Sequence, residues 1–297
     1  MSGMGTFNRR GLLQCGIAAG AIGLLPAGRV RAATEAEANR KINISGRQRM
    51  LTQRMSRSAV YAALHVEAER HIELLEVSRA DFSKALDGLH YGDADLGLPE
   101  EEYAAVREQI EVVEELWYPF ESMVRRIVDR GEAREREILH IAETNVSLLK
   151  EANTLVELLV EYYGREDTDM GRAIAINIAG RQRMLSQKMT KETGLIAYGW
   201  RPDVTRVDLK ETMRLFEDSL AALMSGNPSF TLPRPPEEVW QQLTVVKGLW
   251  ADFKPEVAKF LPEEKTIERH CLFDVASRSD PVLANVHKAV NLYEVAA

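Results

Sequence analysis

The sequence has little cysteine and no excess of positive charge. Its 297 residues include two cysteines, Cys15 and Cys271, which excludes a disulfide framework and a cysteine-rich zinc site. Acidic side chains outnumber basic ones by 45 to 38, and this excludes the general nucleic-acid binders, because they need a basic face. Hydrophobic residues nevertheless make up 45% of the chain, so it can bury a core.

Common motifs of catalysis and metal binding are also missing. The sequence contains no Gly-rich phosphate loop, no G-x-S-x-G and no H-E-x-x-H, so we expect no enzyme activity. The six histidines lack metal-ligand spacing, since His65 and His71 do not share a helix face and His270 is next to the second cysteine. We expect neither a metal nor another cofactor.

One apolar stretch, at the N-terminus, is long enough to suggest export or a membrane anchor. Arg9 and Arg10 precede it, it runs to about residue 28, and Ala32 ends a small-residue cleavage sequence. This order is typical of a secretory signal, and the paired arginines resemble the twin-arginine type. A retained anchor is the alternative, but the stretch is glycine-rich and short for a span. We predict a signal peptide at 1–32 and a periplasmic mature protein without a membrane span.

The strongest pattern is an internal repeat with a constant offset between its two copies. Residues 42–58 read INISGRQRMLTQRMSRS and residues 176–192 read INIAGRQRMLSQKMTKE, with 11 of 17 positions identical. The same offset pairs Phe82 with Phe216. Such a repeat indicates one supersecondary plan duplicated within the chain.

Apolar residues at three- and four-residue spacing predict four helices in each half. In the first half the later three cover roughly 67–90, 101–130 and 134–163. Pro119 and Pro255 are expected to kink or end the third helix of each half. The aromatic positions that recur, such as Trp117 and Trp250, are expected to be core anchors rather than a ligand cage.

Short, turn-rich connections between these helices favour an all-α fold. We predict two tandem four-helix up-down bundles, at 33–166 and 167–297, related by a pseudo-two-fold axis.

Two stretches of the chain lack acidic residues altogether. No Asp or Glu occurs at 38–66 or from Met170 to Lys191, although both stretches are rich in arginine and lysine. Without residues 1–32, which contain four arginines and no acid, the chain has 34 basic and 45 acidic side chains and a net charge of −11. The charge is therefore distributed very unevenly, which points to a small anionic ligand.

A helical wheel places the glycine and the second arginine of each G-R-Q-R motif on one face. Gly46 and Arg49 share this face in the first copy, and Gly180 and Arg183 share it in the second. If these faces meet about a two-fold axis, the arginines lie opposite each other, and an anion between them relieves the repulsion. The alternative is that the arginines form a solvated face or pair with acidic side chains of neighbouring helices.

The motif N-[IV]-[SA]-G-R-Q-R-M-L-[ST]-Q-[RK]-M resembles the signature of the PilJ/NarX-type periplasmic sensor domain, the N-terminal domain of type IV pili methyl-accepting chemotaxis transducers. This family includes the ligand-binding regions of nitrate and nitrite sensor kinases and of some chemoreceptors. The resemblance implies a four-helix bundle whose first helices meet across a homodimer, with one nitrate or nitrite held by an arginine from each subunit.

Carried over by position, the resemblance implies that Arg49 and Arg183 contact the ligand. The implied surrounding shell consists of Asn43, Gly46 and Arg47 in the first copy and Asn177, Gly180 and Arg181 in the second.

We expect this chain to depart from family receptors, with neither their membrane helices nor their cytoplasmic signalling module, and it carries both copies of the motif. We expect an exported sensor or binding protein for a small inorganic anion, nitrate or nitrite, that acts on an envelope receptor, sensor kinase or transporter. The alternative is a ligand-independent helical interaction module that docks on such an envelope protein.

Overall fold

The computed structural model describes residues 34–164, 169–263 and 267–296. These residues form eight α-helices and no strands, which confirms the predicted all-α helical bundle. The helices are α1 (Glu35–Ala63), α2 (Ala68–Tyr91), α3 (Ala104–Arg130), α4 (Glu135–Tyr163), α5 (Met170–Tyr198), α6 (Pro202–Ser225), α7 (Glu237–Ala258) and α8 (Arg269–Val295). The predicted signal peptide lies outside the described residues.

Matched local features begin and end the helices of the two halves. Thr34 caps α1 in a reciprocal capping box with Glu37, and Asp169 caps α5, so unpaired N–H groups of both first turns find acceptors. Gly92 and Gly226 follow α2 and α6 with φ of 83° and 72°. A Cβ at either glycine would lie 2.9 Å from a backbone nitrogen, so only glycine fits these tight turns.

In each half, helices that are neighbours in sequence also pack together. α1, α2, α3 and α4 close one four-helix bundle, and α5, α6, α7 and α8 close the other. The predicted boundary falls between α4 and α5. The pseudo-two-fold axis stays a prediction.

Aromatic side chains fill corresponding positions of the two cores. Trp117 and Trp250 are buried, with rings 4.1 Å and 4.6 Å from those of Phe82 and Phe216. They are core anchors, as expected. Offset or tilted ring pairs of this kind add to the hydrophobic stabilisation of a core.

The expectation for the prolines is only partly met. Pro119 lies inside α3, which continues to Arg130, so it does not end the helix. Pro255 lies in the last turn of α7. A proline within a helix removes one backbone hydrogen bond, and the packing of α3 against α2 and α4 holds the helix together despite this loss.

The first helix of each half lies at the centre of the molecule. α1 packs against α2, α4, α5 and α8, and α5 packs against α6, α8 and α1. Both faces of α1 are therefore buried over most of its length, rather than only the face toward its own bundle. The long contact between α1 and α5 brings the two copies of the G-R-Q-R motif together.

Candidate functional site: the contact between the two G-R-Q-R helices

Arg49 lies fully buried between α1 and α5. Its side chain is 0% exposed. Its Nη1 donates to Oδ1 of Asn177 and to Oδ1 of Asn153, both at 2.9 Å, and its Nη2 donates to the backbone oxygen of Asn177 at 3.1 Å. The guanidinium therefore reaches across the interface to the motif of the other half.

Arg183 makes the corresponding contact in the opposite direction. It is 1% exposed, and its Nη2 donates to the backbone oxygen of Asn43 at 3.0 Å. Its Nη1 contacts Nδ1 of His287 at 3.2 Å. Each arginine thus bonds the asparagine that begins the opposite motif, and each has one further partner on the last helix of its own half.

The two guanidiniums are near neighbours because glycine faces them from both helices. A Cβ at Gly46 would lie 3.4 Å from Nη2 of both Arg49 and Arg183. A Cβ at Gly180 would lie 3.3 Å and 3.4 Å from the same two atoms. Both Nη2 atoms therefore lie close to the same two points, and a side chain at either glycine would crowd them. The seam predicted from the wheel exists within one chain.

No carboxylate is hydrogen-bonded to either guanidinium in the described residues. Burial and the nearby cations Arg181 and Arg183 hold the pKa of Arg49 well below its ordinary value. Burial and Arg47 lower the pKa of Arg183 to about 9. Because a guanidinium is not deprotonated in proteins, the interface contains two close, buried positive charges.

The Nε–H groups of both arginines are buried and have no acceptor among the described residues. A buried unpaired donor costs about 1–3 kcal/mol. Planar guanidiniums with free donors suit a small planar or tetrahedral oxyanion, whose oxygens accept several charge-assisted bonds at once.

The other predicted site residues surround this pair unequally. Asn43 and Asn177 contact the opposite arginines, as described above. Arg47 turns outward instead: its side chain is 40% exposed and its Nη2 lies 2.5 Å from Oδ2 of Asp81 on α2. Arg181 is half-buried, and its pKa is lowered by burial, against the opposing effect of Glu157.

Two further residues of the site were not predicted from the sequence: Asn153 and His287, which contact the Nη1 atoms of Arg49 and Arg183. They occupy equivalent positions of the repeat, separated by the same offset as the two motifs. That offset could have paired them, but a half-exposed asparagine and an exposed histidine give no periodic signal of their own.

A second buried polar layer follows about two turns further along α1 and α5. Arg57 is 1% exposed and pairs with Asp280 of α8 at 2.8 Å. Its counterpart Lys191 is 7% exposed and donates to Oδ1 of Asn145 at 3.3 Å. Arg57 is therefore paired with an acidic side chain of a neighbouring helix, which is the alternative stated for the arginines in the sequence analysis.

The described residues contain neither a metal-binding cluster nor a membrane-spanning helix. In the part of the chain that the structure describes, no cluster of three or more His, Cys, Asp or Glu side chains could hold a metal. Within the same ranges, no helix combines the length and apolarity needed to cross a bilayer. Cys271 is a free, buried thiol.

A known protein family matches both halves of the chain. The model of the PilJ family, described as the N-terminal part of type IV pili methyl-accepting chemotaxis transducers, matches residues 32–138 and 169–270. No curated protein matches the chain. The two matched segments each contain one G-R-Q-R motif and together cover more than half of the sequence, so this chain belongs to the PilJ family and carries its sensory domain twice.

Proposed function

We propose that this protein is an exported binding protein for a small oxyanion, with nitrate or nitrite as the first candidates. The observation that carries the proposal is the pair of buried guanidiniums of Arg49 and Arg183, which face each other across Gly46 and Gly180. The family is one of sensory domains, which agrees with a binding role.

The proposed ligand lies between the two guanidiniums. It replaces the hydrogen bonds that they donate to the backbone oxygens of Asn43 and Asn177. Hydrogen bonds to a charged group contribute about 1.5–3 kcal/mol each. A few such bonds, less the cost of ordering the ligand, give an affinity on the order of micromolar. Binding also removes the repulsion between the two cations.

Both halves contribute to the proposed site, so a single chain supplies what the family resemblance assigns to two subunits. The ligand-loaded protein then acts by docking on an envelope receptor, sensor kinase or transporter. Export through the predicted signal peptide at 1–32 puts it in the periplasm.

Calorimetric titration of the purified protein with nitrate, nitrite, sulfate and chloride tests the proposal. We expect heat and saturation with nitrate or nitrite, and at least a hundredfold weaker binding in Arg49→Ala and in Arg183→Ala, because about 3 kcal/mol of charged hydrogen bonds is lost. Arg40→Ala is the matched control, since it removes the same charge from α1 at a side chain that is 41% exposed.

No heat from any of the four anions, or unchanged binding in both arginine variants, overturns the proposal. The first result favours the alternative, a ligand-independent interaction module. In that case a pull-down recovers the same partner with and without added anion. Circular dichroism of each variant shows whether the bundle is intact.

A further inference from the structure

The residues that contact the Nη1 atoms of Arg49 and Arg183 differ between the two halves, and the one in the second half can take up a proton. Behind Arg49, Asn153 accepts a bond from Nη1 at 2.9 Å and donates to Oε1 of Glu157 at 2.6 Å. Behind Arg183, the equivalent positions of the repeat hold His287 and Asn291. Nδ1 of His287 lies 3.2 Å from Nη1 of Arg183, and its Nε2 lies 3.4 Å from Nδ2 of Asn291. Each side therefore has a nearby carboxylate, Glu157 acting on Arg49 and Glu294 on Arg183. Only the second half has a titratable ring against its arginine, where the first half has an amide.

An Asn oxygen accepts a hydrogen bond at any pH, but a histidine nitrogen accepts one only while it is unprotonated. The contact between Nη1 of Arg183 and Nδ1 of His287 therefore requires the neutral ring. Protonation ends that contact, because two donors then face each other, and it frees the Nη1–H of Arg183 for another acceptor. It also adds a positive charge beside the guanidinium.

The surroundings of His287 oppose this protonation while no anion is present. Partial burial, together with the cations Arg183 of α5 and Arg47 of α1, lowers its pKa to about 4. On α8 its neighbour is Asn291. Glu294, further along α8, accepts a hydrogen bond from Nδ2 of Asn43 and acts on Arg183 in the direction that raises its pKa. α7 meets α8 through the uncharged pair Gln242 and Asn285.

Although the Nδ1 edge of His287 lies against a buried arginine, the residue as a whole is exposed to solvent. Protons therefore reach the ring without any opening of the bundle. An anion held by Arg183 cancels the charge that disfavours the imidazolium, so the two events favour each other.

We propose that His287 is a proton-binding member of the anion site, which takes up one proton from solvent when an oxyanion binds between Arg49 and Arg183. This inference rests on the proposed function. It makes oxyanion binding tighter in acid, and it assigns the proton to the second half of the molecule only.

Nitrate is the suitable probe, because it does not itself titrate in this range. Calorimetry in two buffers with different heats of ionisation, at about pH 5.5, counts the protons taken up with each nitrate. If the bound-state pKa returns to the ordinary value of about 6.5, we expect nearly one proton and an affinity up to about tenfold higher than at about pH 7.5. His287→Asn, which installs the residue of the first half, is expected to bind nitrate with no proton uptake and no such pH dependence.

His270→Asn is the matched control, because that histidine is 65% exposed and lies far along α8 from the site. Nitrate binding by the wild-type protein without proton uptake overturns the inference and leaves the proposed function standing. The inference is likewise overturned if His287→Asn keeps the proton uptake of the wild type. If none of the four anions binds at either pH, both proposals fail together.

Discussion

The two halves of this protein agree at the contact between α1 and α5 and differ around it. Arg47 pairs with Asp81, whereas the position equivalent to Asp81 in the second half holds Leu215. Arg57 pairs with Asp280, whereas the equivalent position on α4 holds Val146, which is 62% exposed. Duplication has thus preserved the residues that face each other, while the charges that support them have diverged.

The difference shows how a repeated motif yields an asymmetric site. Each motif is identical over G-R-Q-R, so the central guanidiniums have matching contacts to the opposite backbone. The electrostatic environment comes from other helices, and there the halves are not alike. Three substitutions test this comparison, from the largest expected effect to the smallest.

The largest effect is expected at a buried ion pair of the first half. Lys41 and Glu101 lie 2.8 Å apart with side chains 1% and 0% exposed, and Tyr163 bonds to both. The equivalent of Lys41 in the second half is Ala175, so the pair has no counterpart there. Lys41→Met leaves a buried carboxylate without its cation, which costs about 3–5 kcal/mol of unfolding free energy.

Chemical denaturation measures this loss. The double variant Lys41→Met/Glu101→Gln removes both charges and is expected to recover most of the stability, because no unpaired charge remains buried. A double variant less stable than the single one would contradict this account.

A smaller effect is expected where the two central helices come closest. Gly194 of α5 is the equivalent of Val60 on α1, and a Cβ at Gly194 would lie 2.6 Å from Cγ1 of that valine. Gly194→Ala overpacks the contact at a cost of about 1–3 kcal/mol. This outweighs the gain in helix propensity of about 1 kcal/mol, so thermal unfolding is expected at a lower temperature.

Gly248→Ala in α7 is the matched control, since nothing lies within 4 Å of a Cβ there. It is expected to raise the unfolding temperature slightly, through helix propensity alone. Equal shifts in the two variants would show that α1 and α5 do not constrain each other at this point.

The smallest effect is expected from placing a carboxylate beside Lys191, as Asp280 lies beside Arg57 in the structure. Burial lowers the pKa of Lys191 to about 8, with a further contribution from Lys188. The unfolded chain therefore binds this proton more tightly, and the stability rises as the pH increases from about 8 to the ordinary lysine pKa. Val146→Asp places a carboxylate at the position equivalent to Asp280 and is expected to add about 0.5–1 kcal/mol at neutral pH.

Thermal unfolding at neutral and at alkaline pH checks this prediction. The variant should gain less stability on going from about pH 8 to about pH 10 than the wild type does, because its lysine stays charged in the folded state. Val146→Asn is the isosteric control. An acidic variant that matches this control at every pH would mean that the new carboxylate does not reach Lys191.

Much of the fold follows from local pattern. Each helix, each turn and each copy of the repeat is encoded in residues close together in sequence. The family signature lies within a single short motif of each half. The shared face of Gly46 and Arg49 followed from helix geometry, and the structure places these residues at the α1–α5 contact. Pro119 was expected to kink or end its helix, and α3 does not end there, because packing against neighbouring helices outweighs one lost backbone bond. A kink at Pro119 stays a prediction.

The sequence by itself determined that two copies of one helical plan would each present a glycine beside an arginine, since this depends only on spacing along a helix. Only the tertiary structure decided which side chains stand behind those arginines. Asn153 lies on α4 and His287 on α8, and Arg47 points away from the two central arginines and pairs with Asp81 of α2. The reason is that the partners and pKa of a buried charge depend on distances between helices that are far apart in the chain, and no local pattern specifies them.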